Sequence, residues 1–226
     1  MKTVHVELWS DFVCPWCWIA KRRLEQAAER LTGQVQVTVT HKAYRIAKGM
    51  APNDFGAALK MKFGSEQSAR QMMAAVAEQG AREGLVYNFD TMRFGDTRDA
   101  HALVKHLDSE AARQTMIEAL SLASITQGRD IFDREVLRSI ASQQGLSETQ
   151  VAAIDFDRSR EIEQDEKHAN SIANGVPLFV FNNKAYLSGA QPTDMFVAAL
   201  NQVATESPAP MDSAQGASCG QDGCQI

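Results

Sequence analysis

At the start of the chain Val4, Val6 and Leu8 are apolar while His5 and Glu7 between them are polar. That period of two predicts a strand. After a short segment, Trp9 to Val13, the apolar spacing changes to Ala20, Leu24, Ala27 and Leu31. This is one face of a helix, and Thr32-Gly33 supplies its stop. Val35, Val37 and Val39 then alternate with Gln36, Thr38 and Thr40, predicting a second strand. Strand, helix and strand in immediate succession make a βαβ unit, so the two strands are expected to run parallel.

From Gly49 to Asn174 helical spacing dominates. Met50 to Gly64 predicts a loop with a short helix, and Ser65 to Gly84 a helix with Met72, Met73, Val76 and Ala77 in its stripe. Phe89 to Asp96 is a connector, after which Thr97 is expected to cap a helix burying Ala100, Leu103, Val104 and Leu107. Further helices are predicted over Glu110 to Thr126, broken by Gly128, and over Asp133 to Gln143. Ser147-Glu148-Thr149-Gln150 is a capping box for a short helix ending near Ile154. Asp157 to Ala173 is a charged helix whose run Arg158 to Lys167 reads as a solvated face, and Asn174-Gly175 ends it.

Strand patterns return at Leu178 to Phe181 and at Ala185 to Ser188, joined by Asn182-Asn183-Lys184. Asn tolerates positive φ, so a hairpin is predicted. Pro192 opens a last helix with Phe196, Ala199, Leu200 and Val203 inward and Asp194 in its first turn. After Glu206 the composition turns to Ser, Pro, Ala, Gln and Gly, which predicts a flexible tail. The layout is an α/β fold of βαβ, a helical block and ββα. Residues 1–48 and 175–205 are expected to form one domain around a small sheet with helices on both faces. Residues 49–174 are then a helical insertion, and 206–226 the tail.

Composition changes this picture little. Apolar content of 44% and charged content of 23% in 226 residues suit one globular domain carrying an insertion. A net charge of −5 gives no electrostatic reason to expect nucleic acid or an anionic membrane as partner. No apolar run reaches the roughly 20 residues of a membrane span. Met1-Lys2-Thr3 runs straight into the first strand without an export pattern, so a cytoplasmic protein is expected. Monomer and homodimer both stay open.

The four cysteines are too few for a disulfide scaffold, and their placement is lopsided. Cys14-Pro15-Trp16-Cys17 falls where strand spacing gives way to helical spacing, with Pro15 suited to the first helical position. Two cysteines in the first turn of a helix can cycle between dithiol and disulfide, supply half of a metal site, or remain inert. The thiolate is the nucleophile in disulfide exchange and a helix N-terminus favours it. Cys14 is therefore the expected attacking residue, with a lowered thiol pKa and its sulfur near the N–H groups of Trp16 and Cys17. Cys17, one turn in, is expected to stay a thiol and resolve the mixed disulfide. A zinc site needs two further ligands. The five histidines form no second knuckle, and only Cys219 and Cys224 could complete it, at a loose spacing.

Several stretches resemble the DsbA-like thioredoxin-fold oxidoreductases, and among them the FrnE-like branch. They are Trp9-Ser10-Asp11-Phe12-Val13 with the Cys motif, Gly128-Arg129-Asp130-Ile131, Gly175-Val176-Pro177 with the strand after it, and Ser188-Gly189-Ala190-Gln191-Pro192. The resemblance implies a thioredoxin-like fold and a thiol–disulfide oxidoreductase or isomerase acting on protein or peptide disulfides. It also implies a cis bond at Val176–Pro177 in a loop that faces the Cys pair and presents backbone to a bound peptide. No cofactor or metal is implied beyond the redox-active disulfide, and glutathione is a candidate co-substrate. Lys42 to Ile46 and Ser124 to Gln127 depart from the family's pattern where substrate choice would be set.

Cys219 and Cys224 close the chain with two glycines between them. Such a tethered dithiol could exchange with Cys14 and Cys17 at high effective concentration. It could also be inert or hold metal. Met50, Met61, Met72, Met73 and Met92 suit either an adaptable groove or core packing, and Trp16 and Trp18 border the motif. Two other functions stay in view. One is a small-molecule isomerase or glutathione-dependent transferase on the same fold, often with Ser in place of the first Cys. The other is a metal- or redox-gated binding module.

Overall fold

The computed structural model describes residues 1–205, 218–220 and 223–225. The N-terminal pattern forms strand β1 (Lys2–Ser10), helix α1 (Pro15–Arg30) and strand β2 (Val35–Ala43). Gly33, at φ 84, makes the turn between helix and second strand, a conformation that Gly adopts without a Cβ penalty. A two-residue strand β3 (Asn53–Asp54) leads into α2 (Phe55–Phe63), capped by Asp54, and α3 (Glu66–Arg82), capped by Ser65. Strand β4 (Arg93–Phe94) pairs antiparallel with β3. Then come α4 (Arg98–His106), α5 (Glu110–Ser121) with a π-helical turn at Leu122–Thr126, and α6 (Arg134–Gln143). The short α7 (Glu148–Ala152) carries the expected capping box at Ser147, and α8 (Ser159–Ile172) follows. The chain returns through β5 (Leu178–Phe181), β6 (Ala185–Ser188) and α9 (Thr193–Ala204).

The central sheet has the order β2-β1-β5-β6. β1 runs parallel to β2 and antiparallel to β5, and β5 and β6 form the predicted hairpin with Asn182 and Asn183 both at positive φ. Alternation along β1 sends successive residues to opposite faces. Leu8 lines a cavity with Leu24 of α1, whereas Trp9 reaches α8, its indole N–H donating to the Asp165 carbonyl at 2.9 Å. Helices therefore cover both faces, as in a thioredoxin-like fold. Among the described residues no helix is long and apolar enough to cross a membrane.

The buried apolar residues form two clusters. One unites the sheet, α1 and α9 with residues of α2 and α3; the other is built from α4 to α8, with Phe12 and Ala43 reaching into it. A buried ion pair helps to close the second onto the end of β2: the Arg45 guanidinium donates twice to Glu166, at 2.5 and 3.1 Å. Asp165 accepts from the Ala43 N–H at 2.9 Å and pairs with Lys105 at 2.6 Å. Met72 and Met92 are core residues, while Met50 and Met61 are exposed beside an open cleft of about 510 Å³.

Five details differ from the sequence reading. The Arg158 to Lys167 run is not wholly a solvated face, because Asp165 and Glu166 are buried against Lys105 and Arg45. β2 continues three residues past Thr40 because Ser10 pairs with Ala43. The connector before α4 contains β4, too short to show any periodicity. The helix from Glu110 changes to π-helical hydrogen bonding at Leu122. The expected flexible tail lies outside the described residues except for two strands, β7 (Ser218–Gly220) and β8 (Gly223–Gln225), which pair as a hairpin.

Candidate active site

The Cys motif sits where β1 hands over to α1. Cys14 is the residue just before the helix, in extended conformation, and Pro15 opens it. The Cys14 N–H donates to the Asp11 carbonyl at 3.2 Å, and the Cys17 N–H to the Cys14 carbonyl at 3.1 Å. Both cysteines are unbridged and buried, with Cys14 wholly inaccessible. Burial pushes the Cys17 thiol well above its ordinary value, and hydrogen bonding to Cys14 and the charge there add to it. A thiol in this environment stays protonated.

One expectation fails. The Cys14 sulfur was expected to face the N–H groups of Trp16 and Cys17, but its side chain makes no capping bond. The Cys17 N–H is already committed to the Cys14 carbonyl, and the Cys14 thiol instead lies 3.9 Å from the Val176 carbonyl as a weak donor. Val176 thus stands against Cys14, 162 residues away in sequence, and its bond to Pro177 is cis.

Val176 has a second neighbour. Its N–H donates to the Cys219 carbonyl at 2.8 Å and its carbonyl accepts from the Cys219 N–H at 2.7 Å, an antiparallel bridge between the loop and β7. Cys219 is buried and disulfide-bonded, and the hairpin register sets Cys224 opposite it. The Cys224 side chain lies outside the described residues. All four cysteine positions thus gather around one loop and the start of one helix. Among the described residues no group of three or more His, Cys, Asp or Glu has a metal-site arrangement.

The other motif residues are packed. The Trp16 ring is buried and its indole N–H has no hydrogen-bond partner among the described residues. The Trp18 indole donates to Glu118 at 3.1 Å. Burial raises the Glu118 carboxyl, but Lys21 and Arg22 outweigh that and hold it below the ordinary carboxylate value.

Four side chains at the site are not assigned to it by the sequence. Asp11 is completely buried beneath the Cys turn, accepting from the Thr97 hydroxyl and the Ile46 N–H at 2.7 Å each. Thr97 therefore does not cap α4 with its side chain as expected; its hydroxyl is spent on Asp11. His101 stands 3.7 Å from Asp11 with its Nε2 bonded to the Tyr44 carbonyl at 3.1 Å. Tyr87, from the segment between α3 and β4, donates its hydroxyl to the Pro15 carbonyl at 2.7 Å. The acidic residue three before Cys14 was a usable signal; nothing local in the sequence marks Thr97 or Tyr87.

The family model of the DSBA-like thioredoxin domain matches residues 5–201 of the chain. Among solved structures, a probable DsbA oxidoreductase from Streptomyces coelicolor is similar at 30% identity, with 99% of each chain covered and a TM-score of 0.82. The cytosolic disulfide reductase DsbM from Pseudomonas aeruginosa, solved with GSH, is 18% identical over 88% of this chain and 98% of that one, with a TM-score of 0.60. A 2-hydroxychromene-2-carboxylate isomerase is 15% identical over 88% and 95%, with a TM-score of 0.63. These last two are likenesses of fold. No curated protein matches the sequence.

Proposed function

The chain belongs to the DsbA-like thioredoxin-domain family, and on that premise we propose that it is a thiol–disulfide oxidoreductase acting on protein or peptide disulfides through Cys14 and Cys17. One observation carries the choice of substrate. The loop beside the Cys14 sulfur holds a peptide strand by paired backbone hydrogen bonds at Val176, and that strand bears a disulfide-bonded cysteine. An extended client segment added at the same edge would be held alike, whatever its side chains.

In this reading Cys14 gives up its proton and its sulfur attacks one sulfur of the client disulfide. The client S–S bond breaks, a Cys14–client disulfide forms, and the departing sulfur takes up a proton. Cys17 then loses its proton and attacks the Cys14 sulfur, releasing the second client thiol. The client gains two electrons and two protons, and the enzyme pair becomes a disulfide. The same steps in reverse oxidise a client, so direction follows from the relative potentials.

Cys219 extends the reading. Attack of Cys14 on the tail disulfide converts site dithiol and tail disulfide into site disulfide and tail dithiol, with no electrons left over. The tail dithiol then reduces a client disulfide to two thiols and closes its own disulfide again, and two glutathione thiols, leaving as glutathione disulfide, return the site to the dithiol. A cytoplasmic setting with its glutathione pool suits this cycle. The helical segment 49–174 acts as an insertion roofing the site. A small-molecule isomerase on the same fold is the competing reading, and the pair of unbridged cysteines favours exchange over it.

Insulin reduction and refolding of a scrambled disulfide protein test the reading. Cys14→Ser is expected to abolish both activities, and Cys17→Ser to trap mixed disulfides. Removing residues 217–226 is expected to change turnover if the tail takes part. Full activity in Cys14→Ser, or turnover of a small substrate by that variant, would overturn the assignment.

A further inference from the structure

Tyr87 belongs to none of the recognisable motifs, yet its hydroxyl reaches the backbone between the two cysteines. It donates to the Pro15 carbonyl at 2.7 Å. Several features exist to hold the ring there. A Cβ on Gly80, in the last turn of α3, would lie 2.3 Å from Tyr87 Cε2 and 2.7 Å from Cδ2. Glycine inside a helix is less favourable than alanine, and here it opens the space that the ring fills. Trp18 lies against the ring with centroids 6.0 Å apart, and Phe89 stacks on it at 5.5 Å. Phe89 in turn stacks on Phe55 of α2 at 5.4 Å.

The segment is also tied from its other side. The Asn88 N–H donates to the Ile125 carbonyl at 2.9 Å, and the Thr126 hydroxyl to the Val86 carbonyl at 2.6 Å. Both partners lie in the π-helical turn. Tyr87 is thereby fixed between α3 and that turn, with its one polar atom directed at the Cys motif. Burial pushes its phenol well above the ordinary value, and the Cys14 and Cys17 sulfurs push it further, so it remains a hydrogen-bond donor.

We propose that Tyr87 is a positioning residue for the Cys14/Cys17 couple, holding the carbonyl between the two cysteines in its dithiol geometry. This rests on the redox reading of that pair. Closing the disulfide brings the two sulfurs to about 2.05 Å, and the first turn of α1 must adjust around them. A hydrogen bond made in the dithiol state favours that state. Loss of the hydroxyl shifts the couple toward the disulfide by about three- to tenfold, the share that a single hydrogen bond supplies. Tenfold is about 30 mV for a two-electron couple.

The test equilibrates full-length wild type and Tyr87→Phe in glutathione buffers and reads the thiol fraction of the Cys14/Cys17 peptide by alkylation and mass spectrometry. Phe keeps the ring contacts and removes only the donor. The expected result is an equilibrium constant moved about three- to tenfold toward the disulfide, with Gly80→Ala, which displaces the ring, moving it the same way. A constant unchanged within twofold in Tyr87→Phe overturns the inference, whether or not the melting temperature falls. If Gly80→Ala fails to fold, Tyr87→Phe decides alone. A wild-type pair that never equilibrates with glutathione overturns the redox reading and the inference together, whereas an equilibrating wild type with an unmoved Tyr87→Phe overturns the inference only.

Discussion

Replacing Asp11 by Ala should be among the more costly single changes outside the cysteines. Its carboxylate is fully buried and accepts 2.7 Å hydrogen bonds from the Thr97 hydroxyl and the Ile46 N–H. Alanine leaves both donors buried without an acceptor, at about 1–3 kcal/mol each. Removing a buried charge also removes its own desolvation cost, which offsets part of the loss. The net expectation is about 2–4 kcal/mol. For a chain of this size that lowers the melting temperature by roughly 5–15 °C. Thr97→Val removes only one of the donors and should cost about 1 kcal/mol. In the double variant the Thr97 hydroxyl is gone and only the backbone N–H groups of Ile46 and, at a longer 3.5 Å, Val13 have lost their acceptor, so the two effects should combine to less than their sum. Urea unfolding of the four proteins gives the cycle. A cost for Asp11→Ala below about 0.5 kcal/mol, or strict additivity, would refute the view that this carboxylate ties α4 to the Cys turn.

Two other predictions concern charge. His41, 3.8 Å away, and Arg113 outweigh burial and hold the Glu110 carboxyl down from an ordinary 4.5 to about 2. A carboxylate with a lowered folded-state pKa contributes stability above its unfolded value that is lost as pH falls. The melting-temperature gap between wild type and Glu110→Gln should therefore be present at pH 7 and close between about pH 4.5 and 2; because Glu110 is partly exposed, screening keeps the gap small. A gap that does not change with pH would contradict this. Arg45→Met strands the buried Glu166, to which Lys48 offers only a 3.4 Å contact, so a loss of about 3 kcal/mol is expected in chemical denaturation. Adding Glu166→Met should recover part of that loss, and a double variant no better than Arg45→Met would count against a stranded charge as its cause.

The parts of the fold that were legible in the sequence are those set by local pattern. Val4, Val6 and Leu8 alternate, Leu24 and Leu31 recur at helical spacing, and Asn182-Asn183 marks a tight turn, so βαβ and the hairpin follow from neighbours in the chain. Pro15 and the two cysteines are likewise local. What stayed hidden depends on contacts across the chain. Thr97 is a good capping residue by type, but a buried carboxylate 86 residues earlier outcompetes the helix end for its hydroxyl. The change to π-helical bonding at Leu122 leaves the apolar stripe almost intact and so leaves no mark on periodicity. β7 is three residues of Ser, Cys and Gly, a composition that reads as loop, and it becomes a strand through pairing with β8 and a bridge from Cys219 to Val176. The facing of Val176–Pro177 and the Cys pair came from family resemblance, since no spacing rule connects positions so far apart.

The sheet order has a consequence for when the protein first acquires chemistry. β1, the strand that delivers the Cys pair, has β2 beside it early, but its other neighbour is β5, with Val6 paired to Phe181. The chain must be built through Phe181 before that pairing can close. Extending the loop costs little, because closure entropy grows only with the logarithm of length. The delay is one of time. At 5–20 residues per second, roughly 10–30 s of synthesis separate the emergence of Cys14 from that of Val176. During that interval the nascent chain carries two thiols but lacks the wall against which they are arranged. The loop that faces Cys14 therefore joins it only after Val176 has been made, so the geometry of the Cys motif is completed late in synthesis.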